Sequence, residues 1–326
     1  MVRWMATAAT VVGLAAAAAA GPLNRDWVPS DATWVVHVDM ETGVGSSVGR
    51  FLVENRGAWG PNDWERFRER TGIDPATDIK GVTIFGPTCD EQHAVAVVDA
   101  TSATDSFLSK LRAKEKSFER VKGERYTLDT WREHGSQRFG YVRKDGDRRL
   151  ILVGRDRARV EEAIDRTESQ KASESPALST MPREGSFLFV AAMNVGTAAE
   201  GGKAVMVQKM KDLRLDFGES GDELYGTMVV TTGTEQEARD VLQMLEGAAA
   251  MGRMMAQSRP ELADMVEASR SLALSASDSS VRGSFAMESS KALGMLKTLA
   301  EKRASAKGGP GQAERGTSTD EDRGAK

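Results

Sequence analysis

Cysteine is almost missing from this chain. Its 326 residues hold one, Cys89, so no disulfide can close within it and packing alone must hold it together. A lone thiol in the turn PTCDEQ reads as a partly buried bystander rather than a reactive group. Histidine is nearly as scarce. His37, His93 and His134 are the only three, which leaves few members for a Ser-His-Asp or Cys-His arrangement. No G-x-S-x-G elbow occurs, and the Ser-Ser-Lys at 289–291 opens a helix, where serines cap. Nucleophilic hydrolysis is therefore disfavoured.

An excess of one charge is missing too. There are 44 Lys and Arg against 48 Asp and Glu, a net charge of −4, and loss of Arg3 with a leader would make it −5. The densest basic stretch, Arg138 to Arg159, is interrupted by Asp145, Asp147 and Asp156. Neither nucleic acid nor an anionic membrane surface is an expected partner. Long apolar runs are absent beyond the N-terminus. The longest uncharged one, Gly185 to Ala199, is too short to cross a bilayer and carries Asn194.

The N-terminus is the exception. Arg3 precedes an uncharged run from Trp4 to Ala20, which ends in small residues before Gly21, Pro22, Arg25 and Asp26. A basic start, an apolar middle and an A-x-A-like end are the parts of a secretory signal, with cleavage expected after Ala18-Ala19-Ala20. An uncleaved anchor is the alternative, weakened by a run that is short and mostly alanine in its second half. No cysteine near the cleavage point allows lipidation there. The expected location is periplasmic or extracellular.

The remainder alternates strand-like and helix-like segments. TWVVHVDM leads through a glycine-bearing turn to the helix SSVGRFLVEN, with Ser46 or Ser47 as its cap. A short helix around Trp64 and Phe67 follows, capped at Asn62/Asp63. KGVTIFG and HAVAVVDA then form a hairpin, SATDSFLSKLRAKEKSF a helix, and ERYTLDTWRE, QRFGYVRK and RRLILVGR three strands, the last two joined by Asp145-Gly146. RARVEEAIDRTES closes this half.

The second half restarts the first. GSFLFVAAMNVG matches TWVVHVDMETG with Met193 on Met40 and Gly196 on Gly43, and Phe217-Gly218 falls on Phe85-Gly86, with Val230 on Val98. The match needs an insertion of about twenty residues in the first half. The helix EQEARDVLQMLEGAAAMGRMMAQ, the strands SLALSAS and SVRGSFAME, and the helix SSKALGMLKTLAEKRA complete it. These patterns predict an α+β fold of two tandem, related lobes, each a largely antiparallel sheet covered by helices. The expected layout is a signal peptide at 1–20, a leader at 21–31, lobe 1 at 32–168, a polar linker at 169–184, lobe 2 at 185–304 and a disordered tail at 305–326.

Three chemistries remain to be weighed. Gly43, Gly45 and Gly49 approach the G-x-G-x-x-G dinucleotide pattern, but the third glycine comes one residue late, with Val48 in its place. No second parallel strand with an acidic end follows, so a tight strand-to-helix turn is the reading. His37 and Asp39 share a strand face, and His93 could sit on a neighbouring strand, which makes the three candidate metal ligands. Met244, Met251, Met254, Met255 and Met265 interleave with Leu245, Ala248, Ala249 and Leu262 at helical spacing, which reads as a buried helix; a partner groove and Cu(I) ligation are its rivals.

The stretch VPSDATWVVHVDM, with DIKGVTIFG and HAVAVVDAT, resembles uncharacterised exported bacterial proteins of the planctomycete-like kind. The resemblance implies repeated sheet-and-helix lobes across residues 28–300 and supplies no functional residues. No cofactor is expected. The function expected is a non-enzymatic module of the cell envelope that binds a protein, an envelope component or a lipidic ligand between its lobes. A metal-dependent extracytoplasmic enzyme and a purely structural envelope protein are the alternatives.

Overall fold

The structure, a computed structural model, describes residues 23–59, 63–133, 135–169, 173–198, 205–257 and 271–307. The signal and tail expectations thus fall outside the described residues, apart from Ser305–Lys307, which continue the last helix.

The fold is α+β, built on one antiparallel sheet. Its strands in chain order are β1 (Trp34–Asp39), β2 (Ile79–Gly86), β3 (Val95–Thr101), β4 (Glu119–Lys122), β5 (Thr127–Glu133), β6 (Ser136–Asp145), β7 (Arg148–Gly154), β8 (Ser186–Met193), β9 (Met210–Ser220), β10 (Glu223–Thr232), β11 (Ala273–Ser277) and β12 (Ser280–Glu288). Across the sheet the order is β11-β12-β10-β9-β8-β1-β2-β3-β7-β6-β5-β4. The two expected sheets are therefore one. β1 and β8 pair directly, Val36 opposite Val190, and fuse the halves edge to edge. The sequence shows why: WVVHVD and SFLFVAAM are near-continuous apolar runs, as strands buried on both faces must be.

Outward from this seam both halves run in the same order, β1-β2-β3-β7-β6 and β8-β9-β10-β12-β11, with the hairpin β4–β5 added at the end of the first. The residue-level match between the halves fails. Phe85 lies opposite Val35, Val35 opposite Ala191, and Ala191 opposite Arg214, so these four share a face. Phe217 is three residues beyond Arg214 and points the other way. A match that sets Phe217 on Phe85 superimposes opposite faces, because strand side chains alternate and an odd shift turns every one over.

The helices are α1 (Met40–Gly45), α2 (Ser47–Glu54), α3 (Asp63–Thr71), α4 (Thr104–Lys114), α5 (Arg157–Ser169), α6 (Glu235–Gln257) and α7 (Ser289–Lys307), with single turns between. In α5 the buried residues Val160, Ala163, Ile164 and Thr167 recur at i, i+3, i+4 and i+7, one stripe of a helix. They pack with Val35, Phe85, Val97, Leu152, Phe189 and Ala191 on what we term the front of the sheet. In α6, Ala238 and Val241 form the stripe, joined by Leu242 and Leu245, and cover Val230 and Val281 on the back. A third cluster, Val38, Met40 and Ala76, lies on the back at the seam. The main cover thus changes face between the halves.

Two sequence expectations change here. The linker is not a separator: Ser173, Ser175, Ala177 and Leu178 are buried, and Ser175 Oγ donates to Ala32 O at 2.7 Å. Its apolar Pro-Ala-Leu turn is short enough to hide among polar neighbours yet plugs the core where β1 meets β8. The methionine helix is not buried along its whole length. Met251, Met254 and Met255 are 59%, 65% and 53% exposed, because the stripe of α6 that meets the sheet ends near Leu245. Met265 lies outside the described residues.

Candidate functional site

The site grows from the end of β1. Asp39 caps α1, its Oδ1 accepting from Thr42 N at 2.8 Å and its Oδ2 from Thr42 Oγ1 at 2.9 Å. Ser46 caps α2, with Gly49 N donating to its Oγ at 2.9 Å, while that hydroxyl donates to Gly43 O at 2.6 Å. A Cβ at Gly49 would stand 1.8 Å from Gly43 O. Gly49 therefore serves the close approach of two short helices, whereas a Cβ at Gly45 would meet nothing within 4 Å, so the glycines do not act together as a phosphate cradle would need. From the other half, Glu219 at the end of β9 accepts from Ser47 N at 2.9 Å and Val48 N at 3.3 Å. A carboxylate at a helix N-terminus is favourably placed, and this one ties the halves together.

Between that corner and the back of the sheet lies a pocket of about 250 Å³, walled by Val38, Val48, Leu52, Phe187, Leu188 and Phe217. Phe187 meets Phe217 edge-on at 5.0 Å, and Phe217 leans on Phe285 at 5.7 Å, which fixes the far wall. Asp39 also lines it. Burial pushes the Asp39 carboxyl up to about 6, against the pull of its two Thr42 bonds, and Glu41 adds to the rise. The pocket is thus apolar with one acid able to change charge in mildly acidic solution. It is smaller than the ~300–1,000 Å³ typical of drug-sized ligand sites, so it suits one chain or a small ring.

The metal candidates separate. His37 is 3% exposed, its Nδ1 2.9 Å from Thr83 Oγ1 on β2. Thr83 pairs onward with Val97, whereas His93 lies in the single helical turn before β3, beyond Val95 at that strand's start. There His93 Nδ1 is 3.0 Å from Asp156 Oδ2. Asp39 is at the other end of β1, occupied as a cap. Among the described residues, no three His, Cys, Asp or Glu side chains gather closely enough to hold a metal ion. His134 lies outside the described residues, and Cys89 is exposed rather than partly buried.

Sequence reading named Asp39 but missed its neighbours. Phe187, Phe217 and Glu219 are distant in the chain, and nothing local marks them; Leu52 belongs to the expected helix SSVGRFLVEN, where nothing marks it as pocket lining. The one usable signal was the double-sided apolar character of β1 and β8, which marks a seam.

Two solved structures of TP0453, crystal forms III and I, are similar to this chain at 7% and 9% identity, with TM-scores of 0.46 and 0.43. Each match covers 86% of this chain, and 99% and 98% of the respective TP0453 chains. Likeness this low says nothing of what the chain binds. No protein-family model and no curated protein matches it. Among the described residues, no helix is long and apolar enough to cross a membrane.

Proposed function

We propose that this is an exported, non-enzymatic binding module of the bacterial cell envelope that holds an apolar, lipid-like chain at the seam between its halves. The observation that carries the reading is the apolar pocket walled by Val38, Leu52, Phe187 and Phe217 beside a single acid, Asp39. Apolar walls reward burial of hydrocarbon at about 25 cal/mol per Å², and one polar group suffices to orient a ligand. Export rests on the leader of residues 1–20 and on the resemblance to exported bacterial proteins. The metal-dependent alternative draws no support from the placement of His93 away from His37 and Asp39.

Titration of the purified, delipidated protein with the apolar fluorophore N-phenyl-1-naphthylamine tests the reading. Saturable binding is expected, and Leu52→Trp, which fills the pocket from α2, should weaken it about tenfold while leaving the melting temperature near wild type. Absence of saturable binding, or equal binding by Leu52→Trp, overturns it.

A further inference from the structure

The front of the second half carries a different pocket, of about 180 Å³, between β8, β9, β10 and the buried turn Pro176–Leu178. That is the liquid volume of roughly six waters, at ~30 Å³ each, so any ligand is small. Arg214 and Asp212 line it, two residues apart on β9 and so on one face.

These two opposite charges form no ion pair with each other, and among the described residues neither has another charged partner within salt-bridge distance. The contrast is with Arg112, Arg148, Arg149, Arg155 and Arg159, each of which meets a carboxylate. Arg214 has only Ser179 Oγ, 3.3 Å from Nη2, and the face of the Phe189 ring at 6.0 Å. Its Nε is buried with no hydrogen-bond partner among the described residues. Burial pushes the guanidinium below its ordinary value, although Asp216 and Asp212 pull the other way. The neighbouring acid Asp216 accepts from Arg183 N at 2.9 Å through Oδ2, while its Oδ1 is buried with no hydrogen-bond partner among the described residues.

A partly buried guanidinium with unmade bonds is costly unless something completes it. β9 slips against β10 between Thr231 and Thr232, beside Asp212, the kind of irregularity found next to binding sites. Thr231, opposite Asp212, adds a hydroxyl to the lining.

We propose that this pocket binds a small zwitterion of the α-amino-acid type, its carboxylate taken by the fork of Arg214 with Ser179 and its ammonium by Asp212. Planar bidentate recognition of carboxylate is the chemistry arginine serves best. The separation that keeps Asp212 and Arg214 from pairing leaves room for a molecule carrying both charges to bridge them. The small lining residues Ala177, Ala191 and Ala192 limit its side chain to glycine, alanine, serine or threonine size. This site lies on the opposite face from the apolar pocket and stands independently of it.

Isothermal titration of the full mature chain with glycine, alanine, serine and threonine tests the assignment, with acetate and ethylamine as single-charge controls. At least one amino acid should bind saturably, each control about tenfold or more weaker, and Arg214→Gln and Asp212→Asn should each weaken binding about tenfold or more. Failure of all four amino acids to bind overturns the proposal. So does acetate binding as tightly as alanine with Asp212→Asn unchanged, which would mean a simple anion site. Should Arg214→Gln not fold, Asp212→Asn decides alone, since its carboxylate bonds to no other described group.

Discussion

Asp39 offers the sharpest test of the seam. The residue is 4% exposed, and its carboxyl stands at about 6 against an ordinary 3.8. The native state therefore holds this proton more tightly than the unfolded chain does. Stability from this group is fullest below about pH 4 and falls as pH rises through about 6, since the unfolded chain ionises first and the folded one must then carry a buried charge. At about 1.36 kcal/mol per pH unit, the penalty at pH 8 approaches 3 kcal/mol as a ceiling. Asn is as good an N-cap as Asp, and its carbonyl can still accept from Thr42 N. Asp39→Asn should accordingly match wild type within about 0.5 kcal/mol at pH 4 and exceed it by about 1–3 kcal/mol at pH 8. Urea unfolding of both proteins across that range measures the gap, and the comparison cancels every other titrating group. A gap that stays constant with pH, or a variant less stable at pH 8, refutes the assignment of a desolvated acid.

Two further substitutions test the architecture. Leu178→Ala should destabilise by about 2–5 kcal/mol in chemical denaturation, the range for a core leucine, whereas a residue in an exposed linker would shift stability by about 0.5 kcal/mol or less. Glu219→Gln keeps one acceptor but removes the charge facing Ser47 N and Val48 N, so a loss of about 1 kcal/mol is expected that shrinks in high salt; a loss indifferent to salt would deny the electrostatic tie between the halves.

Much of the element order was legible in the chain. α5 and α6 follow their helical stripes, and the hairpin at Asp145-Gly146 turns with Gly146 at φ 55°, the left-handed conformation that glycine permits. What escaped was short or non-local. β4, with the sequence ERVK, is a charged edge strand without an apolar face to announce it, and it falls between the expected helix ending at Phe118 and the expected strand beginning at Glu124. α1 hides in METGVG, whose two glycines argue against a helix, and it forms because Asp39 caps it and Met40 is buried beneath it. The buried Ser175-Pro-Ala-Leu turn carries a linker's composition and a core's role. Of the site, the stretch from Asp39 to Leu52 is continuous in the chain, but the wall facing it, Phe187, Leu188 and Phe217, comes from strands more than a hundred positions away.

That separation follows from one property of the sheet. Val35 and Val38 are both buried though they point to opposite faces of β1, and on β8 Phe189 is buried while its neighbour Leu188 packs against the back cluster. A strand where the principal cover passes from front to back must be apolar on both sides, and it must be bordered by the ends of both covers. Neither α5 nor α6 reaches across the seam to close the back of β1 and β8; the small helices α1 and α2 do so, Asp39 capping the first and Glu219 meeting the N-terminus of the second. Two short, glycine-bearing helices leave a gap there that one long helix would fill. The apolar pocket is on this account a consequence of joining two half-sheets with opposite principal covers; its one acid, Asp39, caps the helix that helps close it, and Glu219 nearby ties the second half to α2.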